Sequence, residues 1–211
     1  GRADAAVQRY AQAVATFRAA TGESAYVATS TLKRAGALVR AGRLAEAEAA
    51  CLEAQGVLAR LPQDEYLGGY AASVLGELRH AQARYADAAG QRRIVLALMS
   101  KIYASGHPEI AAARIALADS LVAMRDASQR AEAASLLEEA RAALERPDAA
   151  GDEAPLGELY LTRAALRFDE GDAAGARADV GRAMPRLAKP QSQNTLRRAR
   201  ELARRLGVRP A

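Results

Sequence analysis

The chain has no tryptophan, two phenylalanines, two histidines and a single cysteine in 211 residues. One thiol, Cys51, excludes an internal disulfide framework, and such sparing use of cysteine points to a reducing, cytoplasmic compartment. Two histidines and one cysteine cannot assemble the usual four-ligand structural zinc site. No apolar stretch approaches the ~20 residues that a membrane-spanning helix requires, so no membrane partner is expected. Gly-x-Ser-x-Gly, His-Glu-x-x-His and a phosphate loop ending Gly-Lys-Ser/Thr are all missing, which removes the sequence marks of common hydrolases and nucleotide-binding folds. The chain therefore reads as a non-enzyme with no cofactor, no metal and no catalytic residue. Its start, Gly1-Arg2-Ala3-Asp4, shows no signal segment and opens directly on a helical pattern, which reads as the edge of a piece cut from a longer protein.

What is present is alanine and charge. Half the residues are hydrophobic but only 4% are aromatic, and much of the apolar share is Ala. Ala is the strongest helix former, yet too small to fill a globular core alone; helices in close contact can use it because it lets backbones approach. The net charge of +5 is not spread evenly. Eight Lys/Arg lie between Arg186 and Arg209 against the single acid Glu201. The rest of the chain is slightly acidic, so this is a near-neutral protein with a basic tail.

A spacing of small residues recurs: Ala, three residues, a medium side chain, two residues, then Ala or Val. It occurs as Ala6/Tyr10/Ala13, Ala47/Cys51/Ala54, Ala88/Arg92/Val95, Ala133/Leu137/Ala140 and Ala176/Val180/Ala183, with first positions 41, 41, 45 and 43 residues apart. Each occurrence after the first is preceded by a helical stretch and a tight turn. Leu38, Gly42 and Leu44 lead into Ala47; Leu75-Gly76 and Tyr85 into Ala88; Leu117-Ala118 and Leu121 into Ala133; Ala164 and Gly171 into Ala176. Gly42 and Gly171 suit the left-handed position that ends a helix, and Asp172 suits the N-cap of the next.

On these residues the chain resembles the tetratricopeptide repeats, whose pattern has Leu-Gly-x-x-Tyr in a first helix and Ala-x-x-x-Phe in a second. The period near 42 is similar to the kinesin-light-chain subtype, and so is Gly106-His107-Pro108 followed by Leu117-Ala118 and Leu121. The resemblance implies an all-α fold: a right-handed superhelical α-solenoid of antiparallel helix pairs. It spans residues 1–211 as a half repeat (4–20), four repeats (24–61, 65–104, 108–145, 155–187) and a capping helix (191–206). Within these, helices are expected at 24–41, 44–61, 65–82, 85–104, 108–124, 129–145, 155–170 and 173–184. Pro62, Pro147 and Pro190 fall in connections, while Pro108 and Pro155 suit first-turn positions where a missing N–H costs nothing. About three extra residues near Asp126 to Gln129 lengthen one inter-helix loop. Arg34 and Arg163 depart from the family's Leu before the small residue. Where kinesin-light-chain repeats often carry a peptide-binding Asn, this chain has Lys33, Val74, Ala116 and Thr162, which argues against that style of clamping.

The resemblance also implies a binding groove lined by the first helix of each pair. The repeat register assigns to it Thr29, Leu32, Gly36 and Arg40; Tyr70, Ser73, Glu77 and His80; Ala112, Ile115, Asp119 and Val122; and Glu158, Leu161, Ala165 and Phe168. His107 reads as a helix-opening residue and Cys51 as a buried structural thiol. In the last helix Leu196, Ala199, Leu202 and Leu206 form one apolar stripe, with the arginines mostly elsewhere, which reads as a solvated cap. The expected function is a protein–protein interaction module, a regulatory or scaffolding part of a larger bacterial protein that takes a protein or peptide partner. Alternatives are a ligand- or peptide-sensing domain of a signalling kinase or transcription regulator, and nucleic-acid contact through 186–209. The latter segment lacks interleaved aromatics for base stacking, so nucleic acid is not the expected partner. Self-association is also open to an apolar N-terminal edge.

Overall fold

The computed structural model describes residues 2–146, 153–188 and 193–208, and among them the secondary structure is entirely helical. Pro147, Lys189, Pro190, the first residues of the expected capping segment and Arg209 lie outside the described residues. Ten α-helices run α1 Arg2–Thr21, α2 Ala25–Arg40, α3 Leu44–Leu58, α4 Glu65–Ala81, α5 Tyr85–Ile102, α6 Pro108–Ala123, α7 Arg130–Leu144, α8 Glu153–Asp169, α9 Ala173–Arg186 and α10 Gln193–Arg205. Their ends fall within three residues of the expected ones. No helix among the described residues is long and apolar enough to cross a membrane.

The described residues form two compact units, 1–98 and 99–211. In the first, α1 packs on α2, α2 pairs with α3, and α4 packs on both. In the second, α6 pairs with α7 and α8 with α9; α8 also packs on α6 and α7, and α10 on α8 and α9. The recurring alanines sit at these contacts. Ala47, Ala88, Ala133 and Ala176 are all fully buried, as are Ala54, Ala140 and Ala183. Larger side chains fill the space between, among them Leu38, Leu78, Leu121, Leu137 and Val180.

Turn chemistry repeats with the helices. At the end of α2 Gly42 takes φ +76, with Gly42 N donating to Val39 O and Arg43 N to Leu38 O. This pair of reverse bonds satisfies carbonyls that the helix end would otherwise orphan. Gly171 after α8 does the same, and Asp172 then caps α9 by accepting from Gly175 N at 2.8 Å. After α4 the equivalent place is held by Ala83 at φ 59, with the same two bonds. The position is thus set by the repeat and not by glycine alone. The extra residues near Asp126 form a short 3-10 turn, Ala127–Gln129, capped by Asp126 accepting from Ser128 N. His107 opens α6 by accepting from Glu109 N, one residue ahead of Pro108.

Cys51 packs inside α3 against its neighbours, and burial pushes its thiol up to about 11. The thiolate is the nucleophile, and a free cysteine titrates near 8.5. At pH 8 alkylation of the native chain is expected to be roughly a hundred-fold slower than in denaturant. Equal rates in the two states would show that Cys51 is open.

Candidate inner binding surface

In the unit of residues 1–98, the register-assigned residues come from α2 and α4, with α5 beside them. Thr29 is half-buried and Arg40 exposed; Gly36 is buried, and a Cβ added to it would meet Arg40 Nη1 at 3.5 Å. On α4 Tyr70, Ser73 and His80 are half-buried and Glu77 reaches water. His80 Nδ1 lies 3.3 Å from Arg92 Nη1, and its ring meets Tyr85 edge-on at 5.1 Å. Burial raises the Tyr70 phenol above its ordinary range.

Desolvation also raises the Glu77 carboxyl, with Arg40 and Arg92 pulling the other way. A carboxyl whose folded pKa is raised is penalised when ionised, so its contribution to stability falls as pH rises through the range between unfolded and folded values. Glu77→Gln is therefore expected to raise the thermal midpoint at pH 7 and to leave it unchanged near pH 3. The effect is small because the side chain reaches water. A midpoint lowered at pH 7 would mean that the arginines dominate instead.

In the unit of residues 99–211, α8 and α10 enclose an open cleft of about 360 Å³ lined by Leu161, Ala165, Arg197, Arg198, Glu201, Leu202 and Arg205. Arg198 reaches α6, its guanidinium donating to both oxygens of Asp119 at 2.5 and 3.3 Å. Arg205 lies 4.6 Å over the Phe168 ring, within cation–π range. Glu158 is exposed and Ala112 half-buried. The apolar stripe of α10 is buried as expected. Its arginines are not all turned to bulk solvent: Arg198, Glu201 and Arg205, three and four residues apart, share a face that closes over α8. That spacing was visible in the sequence, but a capping role hid it.

Five of the sixteen register-assigned positions are buried, Gly36 among them. Leu32 is fully buried, and Ile115, Val122 and Leu161 are nearly so, at 3%, 9% and 4% exposure. Leu32 belongs to a core that includes Ala71, Val74, Leu75 and Leu78 of α4. The cause is that α2 packs on both α3 and α4, and α6 on both α7 and α8. Leu32, Ile115 and Leu161 hold the same register place; from α2 it enters the core shared with α4, whereas on α8 Leu161 lines the cleft with α10.

Among the described residues no three His, Cys, Asp or Glu side chains gather as a metal site. No protein-family profile matches the chain, and no curated protein matches it. Solved structures do. BtubC (BKLC) from P. vanneervenii superposes with a TM-score of 0.65 at 16% identity, covering 98% of this chain and 90% of that one. A putative kinesin light chain from Podosopora anserina with nearly identical TPR-like repeats gives 0.64 at 24% identity, covering 90% of each chain. The fold is that of the TPR-like repeat proteins. A substituted form of that putative kinesin light chain gives the same score and identity over 90% of this chain and 89% of that one. TPR-like helix pairs account for the regular burial of small residues, and for the accessible first-helix side chains that remain between them.

Proposed function

We propose that this TPR-like chain is a non-catalytic protein–protein interaction module that takes a peptide or helix of its partner on the first-helix faces. The observation that supports this most is the α8–α10 cleft, where Leu161, Ala165 and Leu202 form an apolar floor beneath Arg197, Arg198, Arg205 and Glu201. An apolar anchor flanked by charge is how extended segments and amphipathic helices are read. The reading extends to a regulatory or scaffolding role within a larger, cytoplasmic bacterial protein. Affinity capture from the source cells tests it, comparing the native chain with Arg40→Glu, Glu77→Lys and Asp119→Ala. Partners lost on these changes but retained by Gln55→Arg, on exposed α3 surface, support the inner face. Capture indifferent to all three would remove it as the site.

The same cleft is at the small end of the ~300–1,000 Å³ that ligand pockets span. This favours, as a second reading, a sensing domain for a small peptide. Ligand-dependent compaction in solution scattering separates the two readings, because simple scaffolding requires none.

A further inference from the structure

A second, unrelated cleft lies against a different face of α8. It holds about 600 Å³ and is lined by Glu138, Arg141 and Glu145 from α7 and its end, Tyr160, Arg163 and Arg167 from α8, and Arg182 from α9. Tyr160, Arg163 and Arg167 are spaced i, i+3, i+7, which places them on one helical face, about a third of a turn from Leu161 and Phe168.

The two walls differ in electrostatic state. On the α7 wall the acids are already matched: Arg141 donates to Glu138 at 2.5 Å and to Glu145 at 2.6 Å, and the Tyr160 hydroxyl also donates to Glu145. On the α8–α9 wall the interior acid is Asp179, which is fully buried. Its oxygens are taken by Arg163, at 2.7 and 2.8 Å, and by Arg167, at 2.8 Å. Arg182 comes no closer to it than 3.7 Å and keeps 57% of its side chain open. Arg167 also lies 3.8 Å from Asp172, and Arg186 pairs with Glu153 at 2.8 Å. Three guanidinium groups, of Arg163, Arg182 and Arg186, stand 5.1–5.6 Å from the Tyr160 ring centroid.

Each guanidinium carries five N–H donors and no acceptor. Arg163, Arg167 and Arg182 against one buried carboxylate leave this wall with a surplus of donors and of positive charge. Nothing apolar lines the cleft except the edge of Tyr160, so an apolar metabolite has no floor to rest on. A planar carboxylate would use a single fork. A tetrahedral oxyanion can accept from donors off two helices at once, and Arg167 on α8 and Arg182 on α9 both line this cleft and both approach Asp179. We propose that this wall binds a phosphate monoester, carried on a phosphorylated side chain of a partner segment, with Arg182 as the principal donor and Arg167 beside it.

Calorimetric titration of the full chain at low salt tests this, with a short Ala/Gly peptide bearing one phosphoserine, its unphosphorylated twin, inorganic phosphate and a short oligothymidine. The phosphopeptide is expected to bind and its twin not. Arg182→Gln is expected to weaken binding about ten-fold or more with only a small change in the thermal midpoint, because Arg182 is 57% exposed and approaches Asp179 only to 3.7 Å. Inorganic phosphate binding as well as the phosphopeptide would keep the anion site and overturn the partner segment as its source. Preference for oligothymidine, no binding of any phosphate, or binding indifferent to both Arg182→Gln and Arg167→Gln would overturn the proposal.

Discussion

Replacing Asp179 by Ala is expected to destabilise the α8–α9 pair by about 3–5 kcal/mol. Asp179 is fully buried and accepts three hydrogen bonds, two from Arg163 and one from Arg167. Arg163 is itself only 15% exposed, so removing the carboxylate strands a guanidinium that is held mostly out of water. The loss therefore comes from an uncompensated buried charge and not from the value of the pair itself. Chemical denaturation measures it, and hydrogen exchange of α8 and α9 amides localises it, since repeat arrays can open segment by segment. A loss below about 1 kcal/mol would mean that water reaches Arg163, as it does for exposed pairs.

The other repeats supply the control. In the third repeat the places of Arg163 and Asp179 are held by Leu117 and Leu136, both buried. Converting the whole pair, Arg163→Leu with Asp179→Leu, is expected to recover most of the stability lost by Asp179→Ala, because apolar replacement of a buried ion pair is often neutral. In the first repeat Arg34 has Ala50 where Asp179 would stand, and its Nε is buried without a hydrogen bond. Glu53 approaches Arg34 only at 4.0 Å. The carboxylate at 179 is thus what turns an awkward arginine into a fixed one.

Helix placement was legible because several signals agreed along the chain. The alanine period marked the contacts, Gly42 and Gly171 marked helix ends, Asp172 marked a start, and Pro108 stood one residue beyond the cap His107. Ala83 and Arg125 take the left-handed backbone with no glycine to announce it; only the period reveals them. The exposure of the register-assigned positions was legible in part. Arg40 and Glu77 reach solvent, and Asp119, Ala165 and Phe168 are half-buried, whereas Arg198 and Arg205 were hidden by the capping role assigned to their helix. The Asp179 cluster was half visible. Arg163 stood out as a departure from the repeat, but its partner lies 16 residues on, across a turn that sequence spacing does not fold.

Leu32 separates the two roles that a first-helix residue can have. Truncating it to Ala is expected to cost about 2–5 kcal/mol, with binding to any inner-face partner unchanged once the protein is kept folded. It is fully buried in the core shared by α1–α4, which includes Val7, Ala35, Leu38, Cys51 and Leu78. The surroundings are rich in alanine, whose methyl groups cannot reach into the space vacated, so the cavity term should lie toward the upper part of that range. Glu77→Gln, on the exposed face of α4, is expected to do the opposite: little change in stability at low pH and a direct effect on any charged partner. Unfolding curves of Leu32→Ala beside the native chain decide the matter. A loss under about 1 kcal/mol, together with weakened partner capture, would return Leu32 to the binding surface and would mean that α2 and α4 stand further apart than the packing between Leu32 and Val74 requires.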